Sequence, residues 1–122
     1  MSPNRVFILV VYYSIQKLCD VYVILAPSSS APFDISETDV GSTHLTLQWL
    51  EPPCGSRHGD LSYTYRLKNE TDVVVKTGTS PSTTATIKDL DVFTRYTFQV
   101  AAVTDFGGGP WSDIFQTTTR KS

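Results

Sequence analysis

The stretch TRYTFQVAAV, from Thr94 to Val103, restricts the fold of this chain more than any other segment. In an extended backbone Tyr96, Phe98, Val100 and Ala102 fall on one side, while Arg95, Thr97 and Gln99 fall on the other. A helix would scatter those apolar groups around its circumference. Aromatic and β-branched residues also suit a pleated, half-buried surface, so the spacing predicts a strand with one buried face. Such a strand requires a second apolar layer to cover it.

The rest of the chain supplies that layer. In HLTLQW, Leu45, Leu47 and Trp49 share a face and leave His44, Thr46 and Gln48 outside. In LSYTYRLK the inward set is Leu61, Tyr63, Tyr65 and Leu67, with Ser62, Thr64, Arg66 and Lys68 opposite. DVVVKTG reads as an edge strand, because Lys76 and the neighbouring charges discourage pairing with another chain. TATIKDL offers Ala85, Ile87 and Leu90, and SDIFQTTT closes the unit with either Ile114 or Phe115 inward. PFDIS with Val40 gives a short opening strand and a bend. About seven strands separated by turn residues, with no competing helical period, predict an all-β, antiparallel, two-sheet sandwich of immunoglobulin-like type.

The first 26 residues behave differently. One positive charge precedes the apolar run VFILVVYYSI, which has the length of a signal-peptide core, and Ser28 and Ser30 ahead of Ala31 offer a small-residue cleavage site. Non-native sequence is the other reading of this apolar tail. A membrane span ranks below an uncleaved, truncated or mispredicted segment from a larger protein, since it would have to carry Gln16, Lys17 and Asp20 through hydrocarbon. Within APSSSAP, residues 27–30 form a linker; residues 31–119 form the folded domain and 120–122 a tail.

Charge and chemistry exclude more than they assign. Ten basic residues stand against twelve acidic ones without any block of one sign, so nothing draws the chain to nucleic acid. His44 and His58 are expected as solvated surface groups, on an exposed strand position and in a loop. Cys54 with His58 is at most half a zinc site, and no second pair accompanies it. Gly107 to Gly109 opens no helix, so the run is expected to be a flexible turn rather than a phosphate loop. No catalytic, cofactor-binding or metal-binding set is found, and no enzyme activity, cofactor or small-molecule substrate is expected. Cys54 is expected to be a free thiol, not joined to Cys19. Asn69-Glu70-Thr71 matches the N-glycosylation acceptor pattern, although such triplets also arise by chance.

Taken together, the motifs from Ala31 to Thr119 resemble those of a fibronectin type III domain. The second strand carries LxLxW in Leu45, Leu47 and Trp49, followed by Glu51-Pro52-Pro53. LDVFTRYTFQVAAV is similar to the LxPxTxYxFxVxAx signature, with Leu90, Thr94, Tyr96, Phe98, Val100 and Ala102 in register and Val92 at the usual proline. DFGGGPWSD and QTTT match the loop and the threonines around the last strand. An immunoglobulin domain would require cysteines in the strands beginning near Leu45 and Tyr96, and neither has one. GPWSD is half of a cytokine-receptor tryptophan-serine box without its second half. The physical reading agrees: Trp49 is large enough to span two sheets about 10 Å apart. Tyr96 fits a tyrosine corner, with Leu90 packed beneath it.

The resemblance implies a non-catalytic, extracellular interaction and spacer module of a cell-surface receptor or adhesion protein, such as a receptor-type tyrosine phosphatase, an ephrin-type receptor or a neural adhesion molecule. Its neighbours there would be further fibronectin type III or immunoglobulin domains, and its ligand would be a protein. A freestanding secreted binding protein and a repeat of a cytoplasmic or muscle scaffold are the alternatives. Recognition is expected from loops 51–60 and 104–112, with Phe106, Pro110 and Trp111 as candidate contacts.

Overall fold

A computed structural model describes residues 31–52, 61–105 and 107–122. The period-two segments form antiparallel strands in two sheets. One sheet contains β1 (Phe33–Val40), β2 (Leu45–Leu50) and β5 (Thr84–Ile87), in the order β1-β2-β5. The other contains β3 (Ser62–Lys68), β4 (Val74–Ser80), β6 (Arg95–Thr104), β7 (Gly107–Trp111) and β8 (Phe115–Thr118), with β4 at one edge beside β3, then β6, and both β7 and β8 paired to β6. The apolar tail, the linker, Cys19, Cys54, His58 and Phe106 lie outside the described residues.

The buried face follows the alternation. Leu45, Leu47 and Trp49 of β2, Tyr63 and Leu67 of β3, Ala85 and Ile87 of β5, and Tyr96, Phe98, Val100 and Ala102 of β6 form one core with Leu90. Trp49, 2% exposed, reaches from the three-stranded sheet to the five-stranded one. Its ring meets Tyr63 edge-on at 5.4 Å and lies 5.8 Å from Phe98. These are separations at which aromatic pairs attract beyond simple area burial. Its Nε1 is buried without a hydrogen-bond partner among the described residues, so apolar packing holds the ring.

The turn before β6 is tied down by polar contacts. The Tyr96 hydroxyl accepts a hydrogen bond from Asp91 N at 3.0 Å, the geometry of a tyrosine corner. Buried Thr119 completes the arrangement: its Oγ1 accepts from Thr94 N at 2.9 Å and donates to Asp91 O at 2.7 Å. Leu90 N donates to Thr43 O and Phe93 N to Arg120 O. The turn is therefore closed by its partners, and Val92 in place of proline leaves it intact. Phe93 takes a left-handed backbone (φ 47°), uncommon for an aromatic residue, and these bonds hold it there.

Three sequence expectations need correction. Among the described residues there are eight strands rather than about seven, because Gly107–Trp111, read as a loop, pairs with β6 ahead of the last strand. Ser112 Oγ enters the ladder to accept from Val100 N, and Pro110 just before it has no N–H to donate. The Gly107–Gly109 run is not a loose turn but part of β7, opposite Val103 and Thr104 of β6. Backbone pairing needs no side chain, so glycine does not prevent it. Tyr65 is half-buried, outside the fully buried core: its ring packs 6.0 Å from Phe98 and lies over Gly78 of β4, where any Cβ would strike it. Between the two residues left open at the end of the domain, Phe115 packs against the core and Ile114 is 63% exposed.

Trp49→Ala is expected to lower unfolding free energy by about 3–5 kcal/mol, measured by chemical denaturation. Thr119→Val keeps the volume but orphans Thr94 N and Asp91 O, and should cost about 1–3 kcal/mol in the same measurement.

Candidate contact surface

The outer face of the five-stranded sheet is set by strand register. Arg66 of β3 stands directly opposite Gln99 of β6, and Ala101 of β6 stands opposite Trp111 of β7. Arg66 donates from Nε at 3.1 Å and from Nη2 at 2.9 Å to Gln99 Oε1. Gln99 Nε2 in turn donates to Ser112 O at 3.1 Å, and Ser112 N to Val100 O at 2.8 Å. The guanidinium is thereby fixed over the Trp111 indole, 4.1 Å from the ring centroid. A planar cation above an indole is the favoured cation–π geometry. Trp111 remains 37% exposed, Pro110 beside it is exposed, and Arg66 Nη1 makes no hydrogen bond among the described residues.

The sequence singled out Trp111 and Pro110 but not Arg66 or Gln99. Both read as ordinary outward positions, and their meeting depends on the register between β3 and β6, thirty-three residues apart. Phe106 and loop positions 53–60 lie outside the described residues. Val103, on the same outer face as Ala101, is half-buried, and Ala101 itself is buried. The surface is thus an apolar floor with one aromatic plate and one fixed cation, suited to a partner that offers a carboxylate or another ring.

The other singled-out residues are placed as follows. His44 does not stand free in solvent: it precedes β2, and its Nε2 lies 2.7 Å from Asp39 Oδ2 across the β1–β2 hairpin. Asn69 directly follows β3 at the turn into β4, half-buried, with its Oδ1 accepting from Thr71 N, Thr71 Oγ1 and Val73 N. Among the described residues no group of three or more His, Cys, Asp or Glu side chains is placed to hold a metal. Among them, too, no helix is long and apolar enough to cross a membrane.

A family model described as fibronectin type III domain matches residues 30–118. Protein sidekick-1 of Gallus gallus is 26% identical over 109 residues, covering 84% of this chain and 5% of that protein. Receptor-type tyrosine-protein phosphatase F of Danio rerio is 30% identical over 100 residues, covering 76% of this chain and 5% of that one. The chain therefore spans a small part of the length of these relatives. The solution structure of the fibronectin type-III domain of human fibronectin type III domain containing protein 3 superposes with a TM-score of 0.65 at 28% identity, over 80% of this chain and 89% of that one.

Arg66→Ala should uncover the indole face without opening the core. Quenching of tryptophan fluorescence by acrylamide is expected to rise through Trp111 alone, with stability falling by no more than about 1 kcal/mol. Unchanged quenching would show that the guanidinium does not cover the ring in solution.

Proposed function

The chain belongs to the fibronectin type III family, and from that premise we propose that it is a non-catalytic protein-contact and spacer module displayed outside the cell. Its neighbours in a longer parent would be further domains of this type or of immunoglobulin type, in a receptor or adhesion protein. The observation that carries the contact reading is Arg66 fixed over an accessible Trp111 on the outer sheet face. Tryptophan and arginine dominate the energetics of protein interfaces, and here neither must be ordered on binding because the Gln99–Ser112 bonds already order the cation. The similarity to a receptor-type phosphatase supports the extracellular setting.

The test presents the purified full chain, multivalent on beads, to intact animal cells. Protease-sensitive binding to the cell surface is expected. Trp111→Ala and Arg66→Glu should each weaken it by about tenfold or more with an unchanged circular dichroism spectrum. Equal binding by both variants would move the contact surface elsewhere, and absence of surface binding by the wild type would overturn the proposed role.

A further inference from the structure

The turn after β3 presents a modifiable nitrogen beside a strand edge that no described residue pairs with. Asn69 Oδ1 accepts hydrogen bonds from Thr71 Oγ1 at 2.7 Å, Thr71 N at 2.9 Å and Val73 N at 3.1 Å. Donors of this kind can be met only by the carboxamide oxygen, so they fix the plane of the amide. Nδ2 is left on the side away from the turn, without a hydrogen bond among the described residues. Donors on the oxygen also favour the resonance form that places negative charge there, which makes the Nδ2 protons easier to lose. Asn69 borders two shallow depressions, one lined by Arg95 and Ile114 and the other by Val75 and Lys76, so open space adjoins it. It is also the only asparagine of the whole sequence in an N-x-S/T triplet, because Asn4 is followed by Arg5 and Val6.

Immediately beyond this turn, Val73, Val74 and Val75 are between 41% and 54% exposed. Val74 and Val75 begin β4, the terminal strand of its sheet, which among the described residues pairs only with β3. A β-branched apolar run on an unpaired edge is a template for strand addition, and proteins cover or charge such edges. Lys76 supplies one charge but is itself half-buried.

We propose that Asn69 carries an N-linked oligosaccharide and that this glycan covers the Val73–Val75 edge against pairing with a second copy of the chain. The proposal rests on the extracellular reading above, since the donor is a polyprenyl-diphosphate-linked oligosaccharide of the secretory route. Nδ2 forms a bond to the anomeric carbon of the first sugar, the bond from that carbon to the diphosphate oxygen breaks, and the diphosphate leaves as an anion. The proton lost from Nδ2 passes to a base of the transferase.

Two forms expressed in animal cells separate the site from the compartment: the full chain as it stands, and the full chain behind a heterologous secretory leader. With the leader, a mass loss on treatment with a peptide-N-glycosidase is expected, absent from Thr71→Ala and restored in Thr71→Ser. No mass loss in that form overturns Asn69 as an acceptor. Mass loss there supports the acceptor whether or not the chain as it stands is modified, and the extracellular reading stands or falls separately, on the cell-surface binding above. The enzyme leaves Asn69→Asp, whose carboxylate oxygen still accepts the three turn donors, so the hairpin should keep its circular dichroism spectrum. In sedimentation the deglycosylated protein is expected to self-associate where the glycosylated protein is monomeric, and Val74→Lys should abolish that gain. Equal sedimentation of the two forms overturns the shielding role.

Discussion

One indole joins the layers on which everything else is built. The three-stranded sheet has little area of its own, and Trp49 is the side chain that carries it onto Tyr63 and Phe98 of the other sheet. The magnitudes explain why a buried Nε1 with no hydrogen-bond partner among the described residues is tolerated. Leaving one such N–H unsatisfied costs about 1–3 kcal/mol. Burying an aromatic side chain of about 150–250 Å² returns about 4–6 kcal/mol at 25 cal/mol per Å². Packing wins, and the ring is positioned by shape.

The corner around Tyr96 solves a different problem, that of fastening the segment after β8 to two turns of the sandwich. Thr119 binds the turn before β6 through both Thr94 N and Asp91 O, while Arg120 donates from its backbone N to Gly41 O and from Nε to Val40 O. Three distant segments are thus fastened at one end of the sandwich by backbone-directed hydrogen bonds, which depend little on the identity of the exposed residues among them. That is why a valine at position 92 and an exposed Phe93 in a left-handed conformation are both accommodated.

What the sequence disclosed and what it concealed divide along a physical line. Alternation identifies a buried face because each strand carries that information locally, so Leu45, Leu47, Trp49, Tyr63, Leu67, Phe98 and Val100 were legible residue by residue. Register between strands is not local. The Arg66–Gln99 pair, the approach of Tyr65 to Gly78 and the insertion of Ser112 Oγ opposite Val100 exist only once β3, β4, β6 and β7 are aligned. Glycine composition misled for a related reason. It describes conformational freedom, whereas the pairing of Gly107 and Gly108 with β6 is made by backbone groups that every residue has.

The outer sheet face and the β3–β4 turn are near neighbours, and this limits how a partner can approach. Arg66 and Asn69 are separated by three residues of nearly extended chain, on the order of 10 Å at the strand rise. An oligosaccharide at Asn69 would therefore border the Arg66–Trp111 plate as well as the valine edge, and would obstruct arrival from the β3–β4 end. The opposite end of the sheet, where β6 gives way to β7, lies away from that turn. A partner engaging the plate would then be directed to the side where Pro110 is exposed. Because the plate sits on a paired ladder rather than on a loop, that approach carries little ordering cost, and discrimination would come from the sugar excluding one route as much as from the contacts made along the other.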